Sequence, residues 1–116
     1  MLIKEGIRIE NEELSEIFFA LSDKNRRCIV SLLVSEDLSV GAISRTINKS
    51  LALTSKHLKV LVRSGLIEQF KLGRNTICKI KFGKLTNANV WLSSLGLIDV
   101  LDVSSLESFL SDQNVI

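Results

Sequence analysis

The chain has no proline and no tyrosine, and only one histidine and two cysteines in 116 residues. Without proline, helix ends must be read from caps and glycines. With a single histidine, no nucleophile–base pair, no Gly-rich phosphate loop and no clustered carboxylates, an active site is hard to assemble. No enzyme class is indicated, and no cofactor. Two cysteines, Cys28 and Cys78, do not make a secreted disulfide scaffold; they read as two buried thiols acting as small apolar residues. No apolar run approaches the roughly 20 residues that span a bilayer. The opening MLIKEGIRIENEEL has scattered acids and no apolar h-region, so no signal peptide is visible. Together these absences point to a soluble, cytoplasmic protein that works by binding.

What is present is an ordinary globular composition, 46% apolar and 24% charged, in one domain's length. Net charge is only +2, but it is unevenly placed: residues 1–23 carry −4, residues 24–84 carry +10 and residues 85–116 carry −4. A basic middle between acidic ends suits a polyanion, although a basic stretch is also compatible with a solvated surface.

Leu14, Ile17, Phe18 and Leu21 recur at helical spacing, predicting a first helix over 12–22. Asp23 caps a second, 24–34, with Ile29, Leu32 and Leu33 inward. Ser39 caps a short third, 40–47, with Val40, Ile43 and Ile47 inward. Ser50 caps a fourth, 51–64, and Gly65 suits its stop. The period then changes: Ile67, Gln69 and Lys71, then Thr76, Cys78, Ile80 and Phe82, read as two short strands turned by Gly73, Arg74 and Asn75. A helix over 85–95 follows, with Ala88, Trp91, Leu92 and Leu95 on one side. Ser104 and Glu107 have capping-box spacing, so a last helix near 105–112 is expected. LIDVLDV, 97–103, fits loop, strand or helix.

The runs ALSDKNRRCIVSLL (20–33), LSVGAISRTI (38–47), TSKHLKVLVRSGLIE (54–68) and LGRNTICKI (72–80) resemble the ArsR/SmtB family of winged-helix repressors. The resemblance covers roughly 12–95. It implies a mainly α fold with a small β-hairpin: one winged helix-turn-helix domain over 1–116, the helix-turn-helix at 39–64, the wing at 66–82, and dimerisation helices at 12–22 and 85–112. It also implies a homodimer that binds double-stranded DNA and represses transcription. The alternative is a winged-helix module for protein–protein contact.

The residues support a docking face independently. At 100° per residue from Leu51, an apolar arc of Thr54, Leu58, Leu61 and Val62 adjoins Leu51, while Ala52, Ser55, Lys56, Lys59 and Arg63 fill a stripe between about 40° and 140°. Small residues allow close approach to a groove, and cations meet phosphates or guanine edges. Arg45 and Lys49 sit where a helix-turn-helix crosses the backbone. Ser50 and the free N–H groups after it offer a phosphate site. Arg74, with Asn75, stands at the hairpin tip, where Arg suits a minor groove but is equally compatible with a solvated turn. His57 lies at the border of the buried side and reads as a packing or phosphate-contacting residue. Leu51 is expected to pack down and Leu53 to pair with Val60, leaving Ala52 to face the groove. Its methyl suits a thymine methyl, which implies an A·T-rich operator.

Two helical faces, Leu14, Ile17, Phe18 and Leu21 on one and Trp91, Leu92 and Leu95 on the other, exceed what the chain can cover, so they are expected to pair across a two-fold axis. Many members of the resembled family sense metals, one set with cysteines in the third helix and another with His and acids on the last helices. Here Ser39 and Gly41 stand where the thiolates would be, and residues 85–116 hold no His and no Cys. No metal site is therefore expected.

Overall fold

The computed structural model describes residues 11–96. They form α1 (Asn11–Ala20), α2 (Lys24–Ser35), β1 (Leu38–Ser39), α3 (Val40–Ile47), α4 (Leu51–Arg63), β2 (Ile67–Leu72), β3 (Asn75–Ile80) and α5 (Phe82–Ser94). The fold is α+β: five helices around one small antiparallel sheet of order β1–β3–β2. The expected last helix near 105–112 and the stretch 97–103 lie outside the described residues.

Local chemistry sets the helix boundaries. The Asp23 carboxylate accepts from the backbone N–H groups of Asn25 and Arg26 and so starts α2. Desolvation opposes its ionisation, but those two N–H donors and the nearby Arg26 guanidinium hold the carboxyl below its usual range. A lowered carboxyl pKa stabilises the fold above the ordinary carboxylate range and loses that effect as pH falls through it, so this cap fails only on acidification. The Ser39 hydroxyl accepts from Ala42 N–H, and the Ser50 hydroxyl from Leu53 N–H. Helix α4 stops at Gly65, whose φ of +82° disfavours residues with a Cβ. Gly65 N–H reaches Val62 O and Leu66 N–H reaches Leu61 O, a Schellman closure whose apolar partners Leu61 and Leu66 are both fully buried.

The core joins Ile17 and Ala20 of α1, Ile29, Val30 and Leu33 of α2, Ile43 of α3, Leu58 and Leu61 of α4, and Leu66, Ile67, Cys78, Ile80 and Ala88. Burying aliphatic side chains of this size contributes about 1.5–3 kcal/mol each before chain entropy is counted. Ile17 is thus a core residue, fully buried by the chain itself, and cannot belong to an interface as the first helix's spacing implied. Helical periodicity marks an apolar side without saying what covers it. Leu14 is likewise mostly buried, and Leu21 is half-buried against the core.

Two strand expectations are corrected. Leu38 and Ser39 form a third strand, opposite Cys78 and Ile77 of β3; two residues are too few to show a period. At the other end, the alternation through Phe82 does not continue as strand. β2 begins at Ile67, paired with Ile80, and Lys81 N–H makes the last bond, to Leu66 O, at 2.8 Å. Beyond it β3 has no partner, so the chain turns into α5 at Phe82, which is exposed.

Thr54 is fully buried on α4, and its hydroxyl is the one buried side-chain polar atom without a hydrogen-bond partner among the described residues. An unsatisfied buried hydroxyl costs about 1–3 kcal/mol. Thr54→Val should therefore raise the thermal midpoint by a few degrees in a melt followed by circular dichroism; a lowered midpoint would show that the hydroxyl is satisfied.

Candidate nucleic-acid interface

Helices α3 and α4 are joined by Asn48, Lys49 and Ser50. Asn48 is the only non-glycine residue with positive φ among those described, at 58°. Its N–H bonds to Arg45 O and the next, from Lys49, to Ser44 O, closing α3 as Gly65 closes α4. The Ser44 hydroxyl also donates to Lys49 O. The turn is therefore held from inside, and Lys49 and Ser50 project outward, both exposed.

On α4 the buried line is Thr54, His57, Leu58 and Leu61. Ala52, Ser55, Lys56, Lys59 and Arg63 are all exposed, as are Arg45 at the end of α3 and Arg74 and Asn75 at the hairpin. Gly73 and Arg74 form a two-residue tip between paired Leu72 and Asn75, with Gly73 at φ +64°. A Cβ on Gly41 would lie 3.4 Å from Arg45 Nη1, so the absent side chain leaves room for that guanidinium along α3.

Leu51 does not pack down: it is 59% exposed. The buried line centres at about 290° on the wheel, which leaves Leu51 and Val62 some 70–90° off its axis. A helical side chain also leans toward the N-terminus, and Leu51 is the first residue of α4, so no preceding turn lies beneath it. Val62 is exposed for the same angular reason, and Leu53 is exposed over more than a third of its surface. The opening turn of α4 thus presents three apolar side chains to solvent rather than one.

His57 is buried, its Nδ1 3.3 Å from Arg26 Nη1 and its Nε2 3.8 Å from Asp23 Oδ1. Its packing role holds, and the imidazole lies on the opposite side of α4 from the exposed stripe. The cysteines differ from the expected pair of buried thiols. Cys28 is exposed on α2, because it lies one residue off the Ile29 and Leu33 side. Cys78 is buried, accepts from Gln69 Nε2 at 3.4 Å, and burial pushes its thiol pKa up.

Helices α1 and α5 pack together. The rings of Phe18 and Trp91 meet edge to face with centroids 5.7 Å apart, and Glu13 accepts from Asn87 and pairs with Lys84 at 3.2 Å. Beside this joint, Leu14, Phe18, Phe19 and Trp91 line a broad open groove. Phe19, at 63% exposure, and Leu92 and Leu95 leave apolar surface uncovered by the described residues. Helical spacing does not mark Phe19, which falls one position off the Leu14–Phe18 line.

A helix-turn-helix domain family model matches residues 21–69. The chain is 39% identical over 79 residues to the cadmium resistance transcriptional regulatory protein CadC of Listeria innocua and, equally, to that of Lactococcus lactis. Each alignment covers 67% of this chain and 66% of the relative, so the chain spans just under two thirds of these proteins' length. Among solved structures, an ArsR-like transcriptional regulator from Rhodococcus sp. RHA1 shares 27% identity at a TM-score of 0.67, covering 86% of this chain and 92% of that one. Another ArsR family regulator reaches a TM-score of 0.72 at 27% identity over 84% of this chain and all of its own. The homodimeric winged helix-turn-helix DNA-binding domain of Mb0332 from Mycobacterium bovis, at 22% identity and a TM-score of 0.62, shares the fold over 78% of this chain and 85% of its own. α3, α4 and the β2–β3 hairpin are therefore a winged helix-turn-helix. The chain belongs to the ArsR/SmtB-type winged-helix regulators, a family of transcriptional regulators and not of enzymes.

Since Leu51 supports no core, Leu51→Gln should leave the unfolding free energy within about 0.5 kcal/mol of the parent. A chemical denaturation curve checks this; a loss above about 2 kcal/mol would mean that Leu51 is buried after all.

Proposed function

We propose that the chain is a cytoplasmic, homodimeric repressor that binds double-stranded DNA through α4, the α3–α4 turn and the wing, without a metal-sensing site. One observation carries this reading. Arg45, Lys49, Lys56, Lys59, Arg63 and Arg74 are exposed along α3, α4 and the hairpin tip, and among the described residues none has a carboxylate in salt-bridge range. Six cations without a partner carboxylate among the described residues add self-repulsion and little to stability, so a polyanion is their natural partner. Ser50, Ala52, Ser55 and Asn75 lie among them with short side chains that permit close approach.

Base reading depends on what α4 presents. Leu51, Ala52 and Leu53 offer methyl groups and no hydrogen bonds at its opening, which favours thymine methyls over guanine edges. The operator is then A·T-rich and read largely through phosphates and groove shape, with specificity toward the low end of about 10³–10⁷ over random DNA. The same apolar opening also fits a protein partner, and the salt dependence of DNA affinity distinguishes the two.

The CadC relatives are cadmium resistance regulators by name. This chain has Ser39 and Gly41 where the family's third-helix thiolates would fall, and its two cysteines are placed apart, one exposed on α2 and one buried in β3. That supports regulation by something other than a metal.

Affinity for a duplex selected from a random pool should fall steeply with salt, by a slope of about −0.9 in log K per phosphate neutralised. Lys59→Ala should weaken binding to every sequence and flatten that slope. Stoichiometric zinc, cadmium or arsenite should leave the affinity unchanged, and the selected duplexes should be A·T-rich, with preferences that shift in Ala52→Gln. Salt-insensitive or absent DNA binding would favour the protein-docking module, and a metal-dependent loss of affinity would restore metal sensing.

The dimer rests on the uncovered apolar surface of α1 and α5. Phe18, Trp91, Leu92 and Leu95, with Leu14 at the edge, would meet their copies across a two-fold axis, setting the two α4 helices roughly 34 Å apart, one turn of duplex. Sedimentation should show a dimer at micromolar concentration that is weakened by Trp91→Ala; a wild-type monomer would refute this.

A further inference from the structure

Among the described residues Arg26 is the side chain tied by most hydrogen bonds. It is buried, with its guanidinium carbon 5.2 Å from the centre of the Phe19 ring. Its Nε donates to Ala20 O at 2.7 Å and its Nη2 to Phe19 O at 3.1 Å. These are carbonyls of the last turn of α1, where C=O groups carry partial negative charge that a cation complements, although Phe19 O also accepts from the Ser22 N–H and hydroxyl. The remaining nitrogen, Nη1, points to His57 Nδ1 on α4, 3.3 Å away.

The protonation pattern is set by the donors. A guanidinium only donates, so Nδ1 must accept, and the imidazole proton sits on Nε2, facing Asp23 Oδ1 at 3.8 Å. The back of α4 is thereby held by a directional bond to α2, and through Arg26 to the end of α1. Its front carries Ser55, Lys56 and Lys59, in the same turns as His57. Rotating α4 by about 20° moves a side chain at its roughly 6 Å radius by about 2 Å. That distance is enough to break a hydrogen bond. Apolar packing at Leu58 and Leu61 resists tilt but tolerates small rotations better than a hydrogen bond does.

We propose that Arg26 and His57 are positioning residues: their bond fixes the rotation of α4 relative to α1, so that the exposed stripe is aimed for base reading although neither residue touches DNA. This rests on the proposed DNA-binding function. It also gives the α1–α5 layer a physical route to the reading helix, since a shift of the last turn of α1 pulls on the guanidinium and thence on His57.

The test uses the full chain, the duplex that the wild type selects from a random pool, and a random-sequence duplex of equal length. His57→Leu keeps volume and loses the acceptor; His57→Asn keeps an acceptor near the Nδ1 position. His57→Leu should bind the selected duplex about tenfold or more weaker, the loss expected for a hydrogen bond to a charged group. Its affinity for the random duplex and its salt slope should match the wild type, because no phosphate contact is lost. His57→Asn should recover most of the selected-duplex affinity. In the wild type, nitrogen NMR of the imidazole should show Nδ1 unprotonated and hydrogen-bonded at neutral pH, which also decides the matter if His57→Leu fails to fold. A wild type that binds DNA while a folded His57→Leu discriminates equally well would overturn the proposal. So would a salt slope flattened in His57→Leu, which would make His57 a phosphate ligand, or a protonated Nδ1. A wild type that binds neither duplex would instead refute the DNA-binding function itself.

Discussion

One backbone conformation, the positive φ at Gly65, decides how the two parts of the candidate interface meet. At +82° the chain leaves α4, buries Leu66 beside Leu61 and enters β2 at Ile67 within two residues. Any residue with a Cβ is strained there, and that Cβ would also lie 2.9 Å from the Lys84 side chain. A longer or looser connection would leave the hairpin free to swing. The short closure instead fixes the strands against the C-terminal end of α4, and the pairing of Ile67 with Ile80 then sets where β3 ends and α5 must begin. The layer formed by α1 and α5 inherits its position from the same point.

Charge obeys the same geometry. The first turn of α1 holds Glu12 and Glu13, which favour a helix N-terminus, and Glu13 is further held below the usual carboxyl range, chiefly by the Asn87 hydrogen bond and also by Lys84. These acids are used inside the chain, to start a helix and to join it to another. The cations of α3, α4 and the hairpin tip have no such use. Among the described residues the Lys84–Glu13 pair thus lies in the layer where helices are joined, and the cations of α3, α4 and the hairpin tip have no carboxylate in salt-bridge range.

Much of the fold is legible in the sequence because the signals are local. Asp23, Ser39 and Ser50 cap where their spacing before apolar runs places them, and Gly65 ends α4, because caps and left-handed glycines act within three or four residues. The features that are not legible depend on partners distant in sequence. Leu38 and Ser39 are strand only because β3 passes alongside, and Phe82 is helical only because β2 has run out. Ile17 and Phe18 are neighbours on one apolar side, yet one enters the core and the other meets Trp91 at the surface, a division made by where α2 and α5 lie. Cys28 and Leu51 depart from expectation for an angular reason: a wheel gives direction, but burial also needs a neighbouring element at that height.

His57 meets both conditions, direction and a neighbour at its height, with a polar side chain. It sits on the buried line of α4 where a leucine would give more apolar burial, and it brings a ring nitrogen against a buried guanidinium. Arg26 in turn is desolvated, a cost that only hydrogen bonds and nearby negative charge offset. Its bonds to Phe19 O, Ala20 O and His57, with Asp23 beside it, supply both. Such a network is a poor way to gain stability, since apolar residues of similar volume do as well or better. It is a good way to fix one rotation of one helix among several that apolar packing would tolerate. In the proposed function the helix so fixed is the one whose outer face carries Ala52, Ser55, Lys56 and Lys59, where an error in rotation would be felt by every DNA contact at once.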